Sequence, residues 1–576
     1  MKPLFRLSLL LVITIALFSS CKNSSPKQTK FIPKESAFVV TLNSKALQDK
    51  LVKSQATLEN LIKSMTGNED SVIDKGKKEW DLLKNSGIDL DENIYVSIVQ
   101  KGGMSMGMGN SVHAAVAGLS DATKFEAYVK TKHAGAEIKK EKDYSYSMKD
   151  NDMVAWGKDV IIFMSYNKAP AMPQFDTTSP ASFEVKPVQA DVSVDDIKTE
   201  MTAYFNLKED QSIASIPEFR DLAGQKVDAS VWINSASSVE DLPIPLPKLK
   251  ELIENSYTAA TINFEDGKIV MNSKTYSSDA MTDILEKHSG ATVNLDLVKN
   301  YPSNNIAGFF VTAFNPDFFN GIVQFLEVGG LVDGFLTKTM GTNYTLKQAL
   351  KAIKGDVALV VSDVKLRGSD STTKGNEFKN GIGNDFFNNP KLLINIPLGD
   401  KAEANKLLDK LVEQQMIVKV SNEYKLSPVM SSMGFHLSVD EKNLMVASDS
   451  LLVGQYKSGT IKSNMDQKIL DEFKGKSTAG FVDLERIINS VVPNPTNAES
   501  LASAKATFKN IKGSTDNFKG KHIEGRIEVN FKDEKENSLT SLLKFMATAQ
   551  NESQKHKKDS RWKDEIKVDS TAKEVE

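Results

Sequence analysis

"HIEGRIEVNF", residues 522–531, changes side-chain character at nearly every step. Ile523, Ile527, Val529 and Phe531 alternate with Glu524, Arg526, Glu528 and Asn530. Alternation with a period of two marks a strand with one dry and one wet face, as an antiparallel sheet covered on one side requires. Leu539, Leu542, Leu543 and Met546 follow at helical spacing, so a helix succeeds the strand. The fold class read from this stretch is α+β, with antiparallel sheets covered by helices.

Working outward, the same grammar recurs. "TINFEDGKIVMNSKTY" (261–276) reads as a hairpin turning at Asp266-Gly267, a dipeptide suited to tight hairpin turns. "SSDAMTDILEK" (277–287) supplies its helix, and "DASVWINS" (228–235) and "STAGFVDLERI" (477–487) each open such a short unit. Longer units match as well. "SAFVVTLN" (36–43) is paralleled by "IAGFFVTAFN" (306–315), and "NDMVAWGKDVIIFMS" (151–165) by "KNLMVASDSLLVG" (442–454). "HAAVAGLSDATKFEAYVKT" (113–131) reads as strand, capped turn and helix, with Phe125, Tyr128 and Val129 on one face. "LLINIPLGDKAEANKLLDKL" (392–411) does the same, with Asp400 as cap and Ala404, Leu407, Leu408 and Leu411 as stripe. Three matches in one order predict an internal duplication of a long plus a short strand-helix-hairpin-helix unit. The halves are residues 35–290 and 300–550. Pro170, Pro173, Pro180 and Pro187 mark a linker over 168–190, and the polar stretch 551–576 reads as a frayed tail.

The amino terminus carries an address. Lys2 and Arg6 precede an apolar run from Leu7 to Phe18 and the small pair Ser19-Ser20, the layout of a signal peptide over residues 1–20. The run is about a dozen residues, short of the roughly 20 that cross a bilayer. Phe18-Ser19-Ser20-Cys21 resembles a bacterial lipobox, and Cys21 is the only cysteine of the 576 residues. In precursors of that kind the cysteine is acylated on sulfur and nitrogen, which implies a membrane partner reached through N-terminal acyl chains. Removal of Lys2 and Arg6 takes the formal charge from -3 to -5. Without a clustered basic face, nucleic acid is excluded as a partner. Residues 21–34, "CKNSSPKQTKFIPK", read as a flexible tether.

Chemistry is sparse. "GMSMG" (103–107) matches the G-x-S-x-G elbow with Ser105 as nucleophile, but the elbow needs a strand before and a helix after, and strands are predicted on both sides. A hydrolase with a site assembled from distant residues is the alternative function. Met104, Met106 and Met108 would suit a soft metal, with only His113 nearby; glycine-loop filler explains them more simply. The six histidines, at 113, 133, 288, 436, 522 and 556, never fall at zinc-ligand spacing. No catalytic residue, metal ligand or cofactor is predicted. "FNPDFFNGIVQFLEVGGLVDGFL" (314–336) is far more apolar than its counterpart "NSKALQDKLVKSQATLENLI" (43–62). Phe318, Phe319, Ile322, Phe325 and Leu326 are candidates to line an apolar groove for a lipid or an apolar partner segment; core packing is the simpler account of the same pattern.

The lipobox, the opening "FIPKESAFVVTLN" (31–43) and the repeated units resemble a Bacteroidota lipoprotein family catalogued as domain of unknown function 4836. That resemblance carries no catalytic residues. It implies a cell-envelope lipoprotein that binds or supports rather than catalyses. Because "CKNSSPKQTK" is basic where surface-displayed lipoproteins of such bacteria carry acids, it implies the periplasmic face of the outer membrane.

Overall fold

The computed structural model describes residues 25–53, 78, 81–101, 110–149, 151–168, 193–238, 247–340, 344–364, 390–421, 423–432, 434–491, 493 and 497–571. They form an α+β fold of helices with a large antiparallel sheet and a small two-stranded one. The chain divides into two compact units. One holds residues 1–46, 82–241 and 259–261; the other holds 47–81, 242–258 and 262–576. These units do not coincide with the halves 35–290 and 300–550, because the helix at 279–288 and most of its hairpin belong with the second.

The first unit contains Phe38–Asn43 (β1), Ile88–Asp89 (β2), Asn93–Lys101 (β3), Asn110–Leu119 (β4), Ile138–Lys140 (β5), Ser145–Lys149 (β6), Asp152–Trp156 (β7), Val160–Asn167 (β8) and Ala229–Asn234 (β9). β1 is sandwiched between β9 and β3, β4 joins β3 to β8, and β7 lies beyond β8, all antiparallel. The parity that points Val39, Tyr95 and Trp232 inward buries all three completely, and the Phe219 ring meets Trp232 edge-on at 5.5 Å. Asp121 caps the helix Ala122–Lys132 by accepting from the Thr123 and Lys124 amides at 3.0 Å. The expected tether is shorter than residues 21–34. Lys27–Phe31 form a 3-10 helix with Gln28 and Thr29 buried, and Ile32 is fully enclosed. Backbone bonds from Lys34 to Gln211 (2.9 Å) and from Ile213 to Ile32 (2.8 Å) tie this segment to the fold.

The second unit carries Tyr257–Glu265 (β10, whose residues 259–261 belong to the first), Lys268–Tyr276 (β11), Ile306–Ala313 (β12), Asp356–Ser362 (β13), Lys391–Pro397 (β14), Ile417–Val420 (β15), Glu423–Leu426 (β16), His436–Val439 (β17), Asn443–Ala447 (β18), Thr478–Val482 (β19), Phe508–Thr515 (β20) and His522–Phe531 (β21). β12 lies between β19 and β13, β14 joins β13 to β18, and β17 lies beyond β18. On the far side of β19 come β20, β21 and β11, while β15 and β16 pair alone. Phe309, Val311, Ala358, Val360, Leu393, Met445 and Phe481 form a core with Leu452 and Phe473. At the turn after β10, Gly267 takes φ +68°, and a Cβ there would meet the Glu534 backbone.

Three local readings change. β21 is flanked on both sides, by β11 and β20; on its expected dry face Phe531 is buried and Ile523 and Val529 are half-buried, but one position departs. Ile527 is exposed, whereas Glu528 is among the better-covered side chains because Lys268, Lys512 and Arg526 surround its carboxylate at 3.8, 3.5 and 2.5 Å. Burial pushes that carboxyl up, but the three cations hold it below its ordinary value. Second, within 442–454 only Asn443–Ala447 is a strand; Ser450–Ser458, which echoes the strand of 160–165, is helical, capped by Asp449. Third, the stretch expected to fray continues the helix Ser538–Thr571.

Candidate functional site

The apolar stretch 314–336 forms two helices joined end to end. Asn315 accepts from the Asp317 amide at 3.0 Å and starts the first, Asp317–Phe325. That helix lies close against Asp279–His288, itself capped by Ser278. Gly321 permits the approach, since a Cβ there would sit 3.0 Å from Ile284 Cγ2 and 3.3 Å from the His288 ring. From the helix Pro247–Ile253, the Lys248 ammonium lies 5.7 Å from the Phe325 ring centroid and 2.5 Å from the Glu327 carboxylate. Glu327, at φ +58°, turns the chain into the second helix, Gly329–Met340.

One face of that second helix is held and the other is not. The Asp333 carboxylate accepts from the Leu346 amide at 2.7 Å, where Thr345 and Gln348 form a capping box for the helix Leu346–Lys351. Leu336 and Thr337, half-buried, and Met340, buried, follow Asp333 at helical spacing. On the opposite side Leu331 is 74% exposed and Phe335, four residues on, 66%; exposed Lys338 continues the same stripe.

The five predicted groove residues come together on and just after the first helix. Phe319 is 46% exposed, edge-on to Phe314 and Phe318. Phe318, Ile322, Phe325 and Leu326 are half-buried, and no residue of Asp317–Phe325 is buried as a core residue is. Leu331 and Phe335 fall within the quoted stretch; their i,i+4 spacing, each directly after a glycine, was the available signal.

Cys21, Ser105, Met104, Met106 and Met108 lie outside the described residues. The strands around the GMSMG loop are described. β3 and β4, the described segments on either side, pair as antiparallel strands from Tyr95 with Val116 to Lys101 with Asn110. On β4, His113 Nε2 is 3.0 Å from the Ser111 hydroxyl and 3.3 Å from the Asn167 amide nitrogen. Among the described residues no group of three or more His, Cys, Asp or Glu side chains is arranged to hold a metal ion, and no helix is long and apolar enough to cross a membrane.

The displaced titrations belong to structural groups. Burial pushes Tyr95 up to about 12, and Lys168 with Ser193 holds Asp196, in a capping box, at about 2. Asp363, at φ +53°, is pushed up by burial but held below its ordinary value by bonds from Asn305, Ser362 and Ser303. It closes a network in which the Tyr301 and Ser362 hydroxyls lie 2.9 Å apart.

Compared with known proteins, residues 28–539 match the model of a family described as a domain of unknown function, DUF4836. The chain belongs to that family. No curated protein matches it. Among solved structures, crystal forms III and I of TP0453 are similar at 8% identity and a TM-score of 0.23, covering 47% of this DUF4836 chain and 90% and 89% of theirs.

Proposed function

We propose that this DUF4836 protein is a cell-envelope lipoprotein, held by acyl chains on Cys21 to the periplasmic side of the outer membrane, that works by binding rather than by catalysis. The observation that carries the reading is the uncovered apolar stripe of Leu331 and Phe335, with Phe319 on the adjoining helix, in a chain that opens with a signal peptide and a lipobox-like cysteine. An exposed apolar surface of this kind marks an interaction site. The scaffold is a duplication. In its support, the strand path β9-β1-β3-β4-β8-β7 of the first unit is matched by β19-β12-β13-β14-β18-β17 in the second. Asp121 and Asp400 cap the helices that follow β4 and β14 in the same way.

The test is mass spectrometry of the N-terminal peptide from native material, together with pull-down of the lipidated protein. A diacylglyceryl and N-acyl adduct on Cys21 and co-purified lipid or protein are expected; an unmodified thiol sinks the anchor. Labelling by a serine-reactive probe, lost in Ser105→Ala, would replace the binding reading with the hydrolase.

A further inference from the structure

We infer that the helix pair 317–340 is a second membrane contact: the exposed stripe of Leu331 and Phe335, with Phe319 of the adjoining helix, inserts into the interfacial layer of an anionic bilayer. The inference rests on the proposed anchoring and names the partner of that same apolar surface. Three observations choose a bilayer over other occupants.

The first is reach. The fold begins at the 3-10 helix Lys27–Phe31, so the path from the acylated Cys21 to the fold is about six residues, at most roughly 20 Å even when fully extended. The helix pair is joined to that anchored segment in the same chain, so its meeting with the bilayer is intramolecular, and a weak apolar contact then suffices for occupancy.

The second is shape and chemistry. Leu331 and Phe335 stand on the side of Gly329–Met340 opposite the one held by Asp333 and Met340. A Cβ added at Gly330 or Gly334 would meet nothing within 4 Å, and Leu331 and Phe335 are 74% and 66% exposed, so no neighbour among the described residues covers this side of the helix. Interfacial helices bury such an apolar face a few ångströms into the headgroup boundary while their polar face stays wet.

The third is charge. Lys338 is exposed three residues beyond Phe335 on the same stripe. The one acid of residues 328–340, Asp333, is turned away toward the Leu346 amide. The uncovered side of this helix therefore offers a cation; of the pair's other acids, Glu327 is neutralised by Lys248 and Asp317 lies at the far start of the first helix, which leaves anionic lipid favoured at the Leu331–Lys338 stripe.

The experiment separates this contact from the acyl anchor. The mature chain carrying Cys21→Ser, and so without acyl groups, is sedimented with vesicles of phosphatidylethanolamine containing phosphatidylglycerol, and with vesicles of phosphatidylcholine alone. Salt-sensitive association with the first set is expected. It should fall at least about tenfold in Leu331→Ser/Phe335→Ser, as loss of two partly inserted side chains implies, and severalfold in Lys338→Glu. Val429→Ser, at another exposed apolar position, should bind as the parent does. Thermal unfolding of each variant establishes that it is folded. No association of the folded parent, or equal association of the double variant, overturns the inference. So does a parent dimer that dissociates in the double variant, which would make the face a self-interface. An unmodified Cys21 in native material would remove the anchor and the reach argument, yet leave vesicle binding by the helix pair to be scored separately.

Discussion

Glu552 is expected to be among the most costly side chains of the C-terminal helix to lose. The helix Ala498–Thr507 begins at Asn497 with no side-chain cap bond. Its first-turn amides are satisfied from elsewhere in the chain: Glu499 N and Ser500 N both donate to the buried Glu552 carboxylate at 2.9 Å. Lys555, one turn on, pairs with Glu499 at 3.0 Å. Two charge-assisted hydrogen bonds are each worth about 1.5–3 kcal/mol, and a carboxylate at a helix N-terminus adds about 0.3–1 kcal/mol. Desolvation of the charge offsets part of this, so Glu552→Ala should destabilise the second unit by about 2–4 kcal/mol. Glu552→Gln keeps one neutral acceptor and should cost about half as much. In urea, with a slope of about 3 kcal/mol/M, the alanine variant should move the unfolding midpoint down by about 1 M, and truncation after residue 550 by at least as much. An unchanged midpoint in Glu552→Ala, or a truncated chain as stable as the parent, would refute the view that this stretch is integral to the fold.

Gly355 has φ +98° and a Cβ there would lie 2.0 Å from the Phe314 carbonyl oxygen, whereas Gly459 has φ +62° and open space around it. Gly355→Ala should therefore cost about 3 kcal/mol or more and Gly459→Ala only about 1 kcal/mol, compared by thermal unfolding. Gly321→Leu should force Asp317–Phe325 off Ile284 and His288, raising amide exchange over 317–340 severalfold while the β12 and β13 amides stay protected. The Asp363 carboxyl is held below its ordinary value. Its contribution is therefore fully present above the unfolded carboxylate value of about 4 and is lost as pH falls below it through the depressed folded value. Asp363→Asn, which tolerates the left-handed backbone, should flatten the acid limb of a stability-against-pH curve there and leave the neutral region little changed in slope.

Much of the fold was legible because the signals were local. The caps at Asp121 and Asp400, the turn at Gly267 and the strands Phe38–Asn43 and Ile306–Ala313 each depend on residues within a few positions of one another. The readings that changed are those in which distant residues compete. Residues 27–34 look like a polar tether until Ile213 donates to the Ile32 carbonyl and the Lys34 amide donates to Gln211. Residues 551–571 look like a tail until the Glu499 and Ser500 amides claim Glu552. Alternation in β21 predicts a dry face, which Phe531 keeps, but Ile527 is left exposed while three cations gathered beside Glu528 cover that carboxylate. The echo of 151–165 in 442–454 followed apolar composition, whereas the Asp449 cap turns Ser450–Ser458 into a helix.

The sequence by itself determined the alternating strands, the capped helices, the lipobox-like cysteine and the unusual apolarity of 314–336, because each is written in neighbouring residues or in covalent chemistry. Only the tertiary structure decided which side of that helix pair is covered. A period of 3.6 specifies that an apolar stripe exists, and the stripe is identical whether a core, a lipid or water lies against it. Asp333 and Gly321 settle the matter by committing the helices' other sides to their neighbours, leaving Leu331 and Phe335 outward.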